Sequence, residues 1–362
     1  MSNVLETARD GYRRPHPPRK SRTIWWIVGG VVASVIICLA VALLAPLSYL
    51  IYTGRIQAPG ALSKLEPLAC PGAVARDPIP TDQTSQFTVQ PLYREALTYA
   101  SDARNAPVSQ RTDLWAQDVL GPYPLMEDIF SNAVGGVDAW QKELGSVDPN
   151  TFRCLVYDMQ QADVTDHALN VLQVDAVQIH GPKTYAYLVP WYSTTFGGAS
   201  GVQSLLIPIW ETAPLDRMLP RSASDFAYID FPLDHEYLEV ARYDRLGSAA
   251  NAYLTLLDNM VTDGMADQFA AHMTGQPTRQ FMTSAQEAQF WAEFEPHMND
   301  YANPNQEADM LGDPASGVPY GAGYQIGDHI VGDYLARHSG VTFNQLVAMD
   351  AQTIFAGSGY NG

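Results

Sequence analysis

Three kinds of hydrophobic pattern succeed one another along the chain. From Ile24 to Leu44 the sequence runs IWWIVGGVVASVIICLAVALL without a charged residue. A helix rises about 1.5 Å per residue, so about 20 apolar residues cross a bilayer core, and the run predicts a transmembrane helix over 24–46. Beyond it the apolar positions become periodic. PLYREALTYASDAR, TDLWAQDVL and VDAWQKEL, between Pro91 and about Gly145, show helical spacing broken by Pro and Gly, which predicts several short helices. A further helix is expected from Asn150 to about Leu172. Three stretches rich in Val, Ile, Tyr and Leu then read as strands, VDAVQIH, TYAYLVPWY and SLLIPIW, the last two separated by the Gly-rich FGGASG.

Helical periodicity returns over 230–246, DFPLDHEYLEVARYDRL, with Asp230 expected as N-cap and Pro232 in the first turn. The next helix is expected from near Ser248, with Leu254, Leu257, Val261, Met265 and Phe269 forming its buried stripe. Others are expected at roughly 285–294, at Gly323 to Arg337 and near Thr342 to Met349. Helices, a small sheet and more helices define an α+β fold, mostly helical, behind an N-terminal transmembrane helix. Residues 1–23 read as a disordered tail and 47–86, punctuated by Pro59, Pro67, Pro71, Pro78 and Pro80, as a Pro-rich linker. The folded domain is expected over 87–362.

Charge orients the anchor. Arg13, Arg14, Arg19, Lys20 and Arg22 precede the apolar run, and no cation follows it until Arg55. The basic flank is therefore expected in the cytoplasm and the domain outside it, at the cell membrane. Trp25 and Trp26, with Tyr49 and Tyr52, suit the two interfacial belts. The run is too long for the apolar region of a cleaved signal peptide, and Cys38 follows Ile37 where a lipid-attachment site needs a small residue. The net charge of −18 and the sequence pI near 4.6 argue against nucleic acid as a partner. Outside the expected span only Cys70 and Cys154 remain. An oxidising compartment would let them close into a disulfide, two buried thiols being the alternative.

The segment that carries chemistry is His235-Glu236-Tyr237-Leu238-Glu239. Positions i and i+4 share a helix face, so His235 and Glu239 can grip one metal ion with Glu236 beside them as base. In the H-E-x-x-H arrangement a second histidine stands where this chain has Glu239. Such a fragment also arises readily on the solvated faces of an acidic chain. The next helix adds Asp263 and Asp267, again i and i+4: one can be a third ligand, and the other can hydrogen-bond the free ring nitrogen of His235. His329 and His338, nine residues apart, face different directions, while His180, His272 and His297 have no partner in register.

In DHEYLEVAR, LLDNMVTDGMADQFA and GYQIGDHIVGDYL the chain resembles the DUF2268 family of predicted zinc-dependent peptidases, over roughly 150–362. The resemblance implies a zincin-like domain of the gluzincin kind, whose ligands are two His and one Glu and whose pattern is close to H-E-Y-H-H and E-G-x-A-[DE]. It implies that His235 is the first ligand, Glu236 the general base, Glu239 the position of the second His, Asp263 that of the third ligand and Asp267 the acid behind His235. Two of three ligand positions thus depart from the pattern. Carboxylates still bind Zn²⁺ at about the same distance as imidazole, although one His with two carboxylates is a harder set that also suits Mn²⁺ or Fe²⁺.

Tyr324, in the terminal Gly-Tyr segment, is a candidate oxyanion donor, a packed aromatic being the alternative. SLLIPIW is expected as an edge strand, consistent with Pro208, where an extended peptide can add. The expected activity is hydrolysis of a peptide or protein substrate in the envelope or exterior. The alternative is an inactive pseudopeptidase that binds peptides or envelope proteins.

Overall fold

A computed structural model of the protein describes residues 82–83, 86–123, 137–161, 164–191, 198–200, 204–209, 229–247, 254–301, 305–313 and 315–362, all within the unit Pro59–Gly362. The expected tail, the span 24–46, Cys70 and most of the linker lie outside the described residues. Among the described residues no helix is long and apolar enough to cross a membrane.

A five-stranded sheet and a surrounding set of helices form the domain. The strands are β1 (Asp82–Gln83), β2 (Phe87–Pro91), β3 (Thr184–Pro190), β4 (Gly198–Ser200) and β5 (Ser204–Ile209), in the order β1-β2-β3-β5-β4. The central pairs β2–β3 and β3–β5 are parallel, and both outer pairs are antiparallel. In β2, consecutive residues Phe87, Thr88 and Val89 are all buried, as befits a parallel strand covered on both faces. The fold reaches back to Asp82, within the stretch expected as linker.

The crossover from β2 to β3 carries α1 (Tyr93–Ala103), α2 (Arg111–Trp115, continued by a π-helical turn over Ala116–Leu120), α3 (Val137–Ser146), α4 (Pro149–Gln161) and α5 (Val164–Ile179). Asp148 caps α4, its Oδ2 accepting the Thr151 N–H at 2.9 Å, and Pro149 fills the first helical position. An aromatic cluster closes this half: Trp115 lies 5.0 Å from both Tyr99 and Trp191, ring centre to ring centre, in edge-on packing.

The second half holds α6 (Asp230–Leu246), α7 (Leu256–Thr274), α8 (Ser284–Phe294), α9 (Gln306–Leu311), α10 (Ala322–Arg337), α11 (Phe343–Leu346) and α12 (Ala351–Ser358). Helix α6 packs on β4 and β5, and α7 lies between α6 and α10. The mostly helical α+β architecture is the one expected.

Several elements differ from expectation. VDAVQIH is not a strand but the end of α5. Its buried positions, Leu172, Asp175, Ala176 and Ile179, repeat at helical spacing, while Val174 and Val177 are exposed, so packing overrides the β-branched preference. Asp230 does not cap α6. Ile229 holds that position without a side-chain bond, and Asp230 instead receives His167 Nε2 at 2.5 Å. Helix α7 starts later than Ser248, at Leu256, because Thr255 and Asp258 form a reciprocal capping box. Strand β5 is not the outermost strand: β4 pairs with Ser204, Leu205 and Leu206. Pro208 lies past that pairing, opposite Val189 of β3, which is where a missing N–H is tolerated.

Candidate metal centre

The sequence repeats, glycine included, set the geometry. Helix α6 presents His235 and Glu239 one turn apart; α7 does the same with Asp263 and Asp267. Gly264, next to Asp263, lies against Gly327 of α10 so closely that a Cβ on it would be 2.1 Å from the Gly327 carbonyl. Helices α7 and α10 therefore meet backbone to backbone, and this brings Tyr324, one turn before Gly327, toward the carboxylates.

His235, Glu236 and Glu239 are all buried, and Asp263 is nearly so. His235 Nε2 lies 3.2 Å from Glu239 Oε1 and 3.7 Å from Asp263 Oδ1. One ligand atom from each of the three falls within 4.8 Å of the others. Ligands of a tetrahedral ion at about 2.0–2.1 Å are roughly 3.4 Å apart, so the three donors fit one divalent cation. Among the described residues no other group of His, Cys, Asp or Glu is arranged to hold a metal. The opposite ring nitrogen, Nδ1, lies 2.9 Å from Asp267 Oδ1, which leaves Nε2 for the ligand side.

The electrostatics are those of an acidic cluster out of water. Burial, then Glu239, pushes the Asp263 carboxyl well above the ordinary range, against the pull of His235. Burial, again followed by Glu239, does the same to Glu236. Burial alone would lower the His235 imidazole, but its bonds with Asp263, Asp267 and Glu239 outweigh that and raise it well above the ordinary value. Asp267 goes the other way: burial pushes it up, yet His235 and Arg279 together hold it below the usual carboxylate range. A bound divalent cation would compensate the two buried ligand carboxylates directly.

Two tyrosines face this cluster. The half-buried Tyr324 has its phenol raised well above the ordinary value by burial and then by Asp263, Glu239 and Glu236. Tyr243 is raised by burial and by Glu239, Asp263 and Glu236. Sequence reasoning missed Tyr243, although it continues the register of His235 and Glu239 by four residues. It also missed Arg279, whose Nη2 donates to Asp267 Oδ1 at 3.1 Å; nothing in the local pattern points to it.

Among the described residues, no other histidine belongs to the metal-ligand group. His329 Nδ1 bonds Glu287 Oε1 at 2.5 Å. His297, expected without a partner, lies 2.9 Å from Asp309 Oδ2 on α9, a contact between elements that register along one helix does not reveal. Cys154 is nearly buried on α4 and disulfide-bonded; its expected partner Cys70 is not among the described residues.

A helical pair that gathers one imidazole and two carboxylates, with an acid behind the imidazole, defines a candidate metal centre of the metallohydrolase kind. The stretch that carries it, residues 217–356, matches the model of the DUF2268 family, a predicted Zn-dependent protease. The match confirms the resemblance over a shorter range than 150–362, leaving the strands outside it. No curated protein and no solved structure matches the chain.

Proposed function

We propose that the protein is a metal-dependent peptidase of zincin-like fold, tethered to the membrane by the N-terminal helix, with its site outside the cytoplasm. The observation that carries this reading is the convergence of His235 Nε2 on the Glu239 and Asp263 carboxylates while Nδ1 is held by Asp267. His235, Glu239 and Asp263 would hold the divalent ion, Zn²⁺ by the family description. When bound, that ion polarises the scissile carbonyl and acidifies water. Glu236 accepts the proton of the attacking water and passes it to the leaving amine. Tyr324 donates a hydrogen bond to the oxygen that becomes anionic. The membrane-proximal position restricts substrates to peptides or proteins of the envelope or exterior.

Metal content of the purified protein beside His235→Ala tests the centre. One equivalent of metal, lost in the variant, supports it; no metal in either defeats it. Cleavage of a peptide library, abolished by chelator and by Glu236→Gln, tests the catalysis. A second reading, a pseudopeptidase that binds peptides without cleaving them, is favoured by the carboxylate at Glu239 in place of a histidine, because each anionic ligand offsets part of the ion's acidifying effect. Metal binding with peptide capture but no turnover would establish it.

A further inference from the structure

A centre with a single imidazole has no second histidine to fix its geometry, so the orientation of His235 is decided by what stands behind it. Asp267 is 1 % exposed. Its Oδ1 accepts from two directions at once: His235 Nδ1 at 2.9 Å and Arg279 Nη2 at 3.1 Å. Arg279 comes from the segment joining α7 to α8. Gly275, with φ +70°, ends α7 and reverses the chain. The segment is then pinned to α10 on both sides of the arginine. Thr278 Oγ1 donates to Asp328 Oδ2 at 2.7 Å, and the N–H groups of Phe281 and Met282 both donate to Gln325 Oε1 at 2.7 Å. The guanidinium carbon lies 5.6 Å from the ring centres of both Phe231, in the first turn of α6, and Phe281. Arg279 is thus held by partners that are not themselves candidate ligands.

We propose that Arg279 is a positioning residue of the metal centre, locking the Asp267 carboxylate so that His235 presents Nε2 to the ion beside Glu239 and Asp263. The inference rests on the metal-centre reading. A planar guanidinium suits the task because it stacks on rings while directing an N–H at a fixed oxygen. Lysine can supply the charge but neither the stacking nor the direction. With Arg279 removed, Asp267 keeps one fewer donor and the imidazole loses part of its orientation.

The test is Zn²⁺ affinity of the full-length protein, read by competition with a chromophoric chelator. Arg279→Met is expected to weaken binding by about 10–100-fold, the usual effect of losing a group that supports a ligand, and Arg279→Lys to recover part of the loss. If the arginine acts through Asp267, adding Arg279→Met to Asp267→Asn changes affinity by no more than about twofold. Affinity within twofold of the unaltered protein in Arg279→Met overturns the inference, as do losses that multiply in the double variant. Zn²⁺ binding lost in His235→Ala but intact in Arg279→Met overturns this inference alone. No Zn²⁺ binding by the unaltered protein overturns the reading of the site and this inference with it. Should Arg279→Met fail to fold, Arg279→Lys decides: affinity equal to that of arginine refutes a role for the planar group.

Discussion

Replacing Gly327 by alanine sets two effects of opposite sign against each other. In an open helix interior, Gly→Ala stabilises by about 0.8–1 kcal/mol through backbone entropy and solvation. At Gly327 the added Cβ would lie 1.8 Å from the Met260 carbonyl oxygen and 2.5 Å from its carbon. Those atoms belong to the α7 backbone and cannot rotate aside, so α7 and α10 must separate by well over an ångström. Overpacking of this kind costs about 1–3 kcal/mol and occasionally more, and here the clash is with main chain, the least forgiving neighbour. The clash wins. We expect a net loss of about 2 kcal/mol, or a Tm lower by roughly 3 °C for a domain of this size. The matched control is Gly332→Ala on the same helix, where the Cβ meets Gln268 Nε2 at 3.0 Å, the far end of a flexible side chain; stability there should hold or rise. Denaturant unfolding followed by circular dichroism reads both, with an unchanged m-value marking a pure stability effect. If Gly327→Ala is as stable as the unaltered protein, α7 and α10 do not meet as described. The placement of Asp263 against Tyr324 then loses its basis.

The Glu287–His329 pair gives a pH signature. Burial raises Glu287, but His329, Tyr360 and Gln325 bond it and bring it below its ordinary 4.5; His329 is raised above 6.5, first by that bond. The carboxylate's contribution is present above 4.5 and lost as pH falls through its folded value, and the imidazole's is present below 6.5 and lost as pH rises through its own. The stability difference between the unaltered protein and His329→Gln should therefore be largest between those values, and a difference flat from pH 5 to 9 would exclude the pairing. Intact mass before and after reduction checks a Cys70–Cys154 disulfide, in which both cysteines alkylate only after reductant; alkylation without it would rule the pairing out. Glu239→His with Asp263→Glu should tighten Zn²⁺ binding, a tenfold gain corresponding to about 1.4 kcal/mol. A gain below twofold in calorimetric titration would mean that the helices no longer hold family-like geometry.

Sequence periodicity resolved what is local and repetitive. Helices α6, α8 and α10 fall near their expected bounds, and the i, i+4 pairs His235–Glu239 and Asp263–Asp267 share faces as spacing requires. The same logic failed where burial rather than propensity decides. Residues 174–179 alternate enough to pass for a strand, yet their buried members follow a helical period set by packing. Contacts between distant elements left no trace in spacing. Asp267 is legible because it repeats Asp263 by one turn, whereas Arg279 reaches it from a loop whose course depends on a left-handed glycine and on two side chains of α10. Gly264 was visible as part of a motif, but the reason for it, the backbone of α10, was not.

Charge explains why the ligand substitutions and the arginine belong to one design. Glu236, Glu239, Asp263 and Asp267 put four carboxyl groups around one imidazole in a buried site. Left alone, such a cluster is costly, since burial and like charges out of water both disfavour ionisation, and the upward shifts of the Glu236 and Asp263 carboxyls, by burial and then by Glu239, have that origin. A family-like pair of histidines would carry one carboxylate fewer. On the metal-centre reading proposed above, Glu239 in the second position gives the site a stronger need for positive charge on both sides of His235: a divalent ion at Nε2, and a fixed cation behind Nδ1. Arg279 supplies the second and, behind the larger effect of His235, helps hold the Asp267 carboxyl below the usual range while those of Glu236 and Asp263 are shifted upward. The carboxylate-rich ligand set thus requires more of its supporting residues than a two-histidine set would. Substitutions at Arg279 should for that reason weaken metal binding more in this chain than in Glu239→His, where the second imidazole shares the work of orientation; equal losses in the two backgrounds would refute the link.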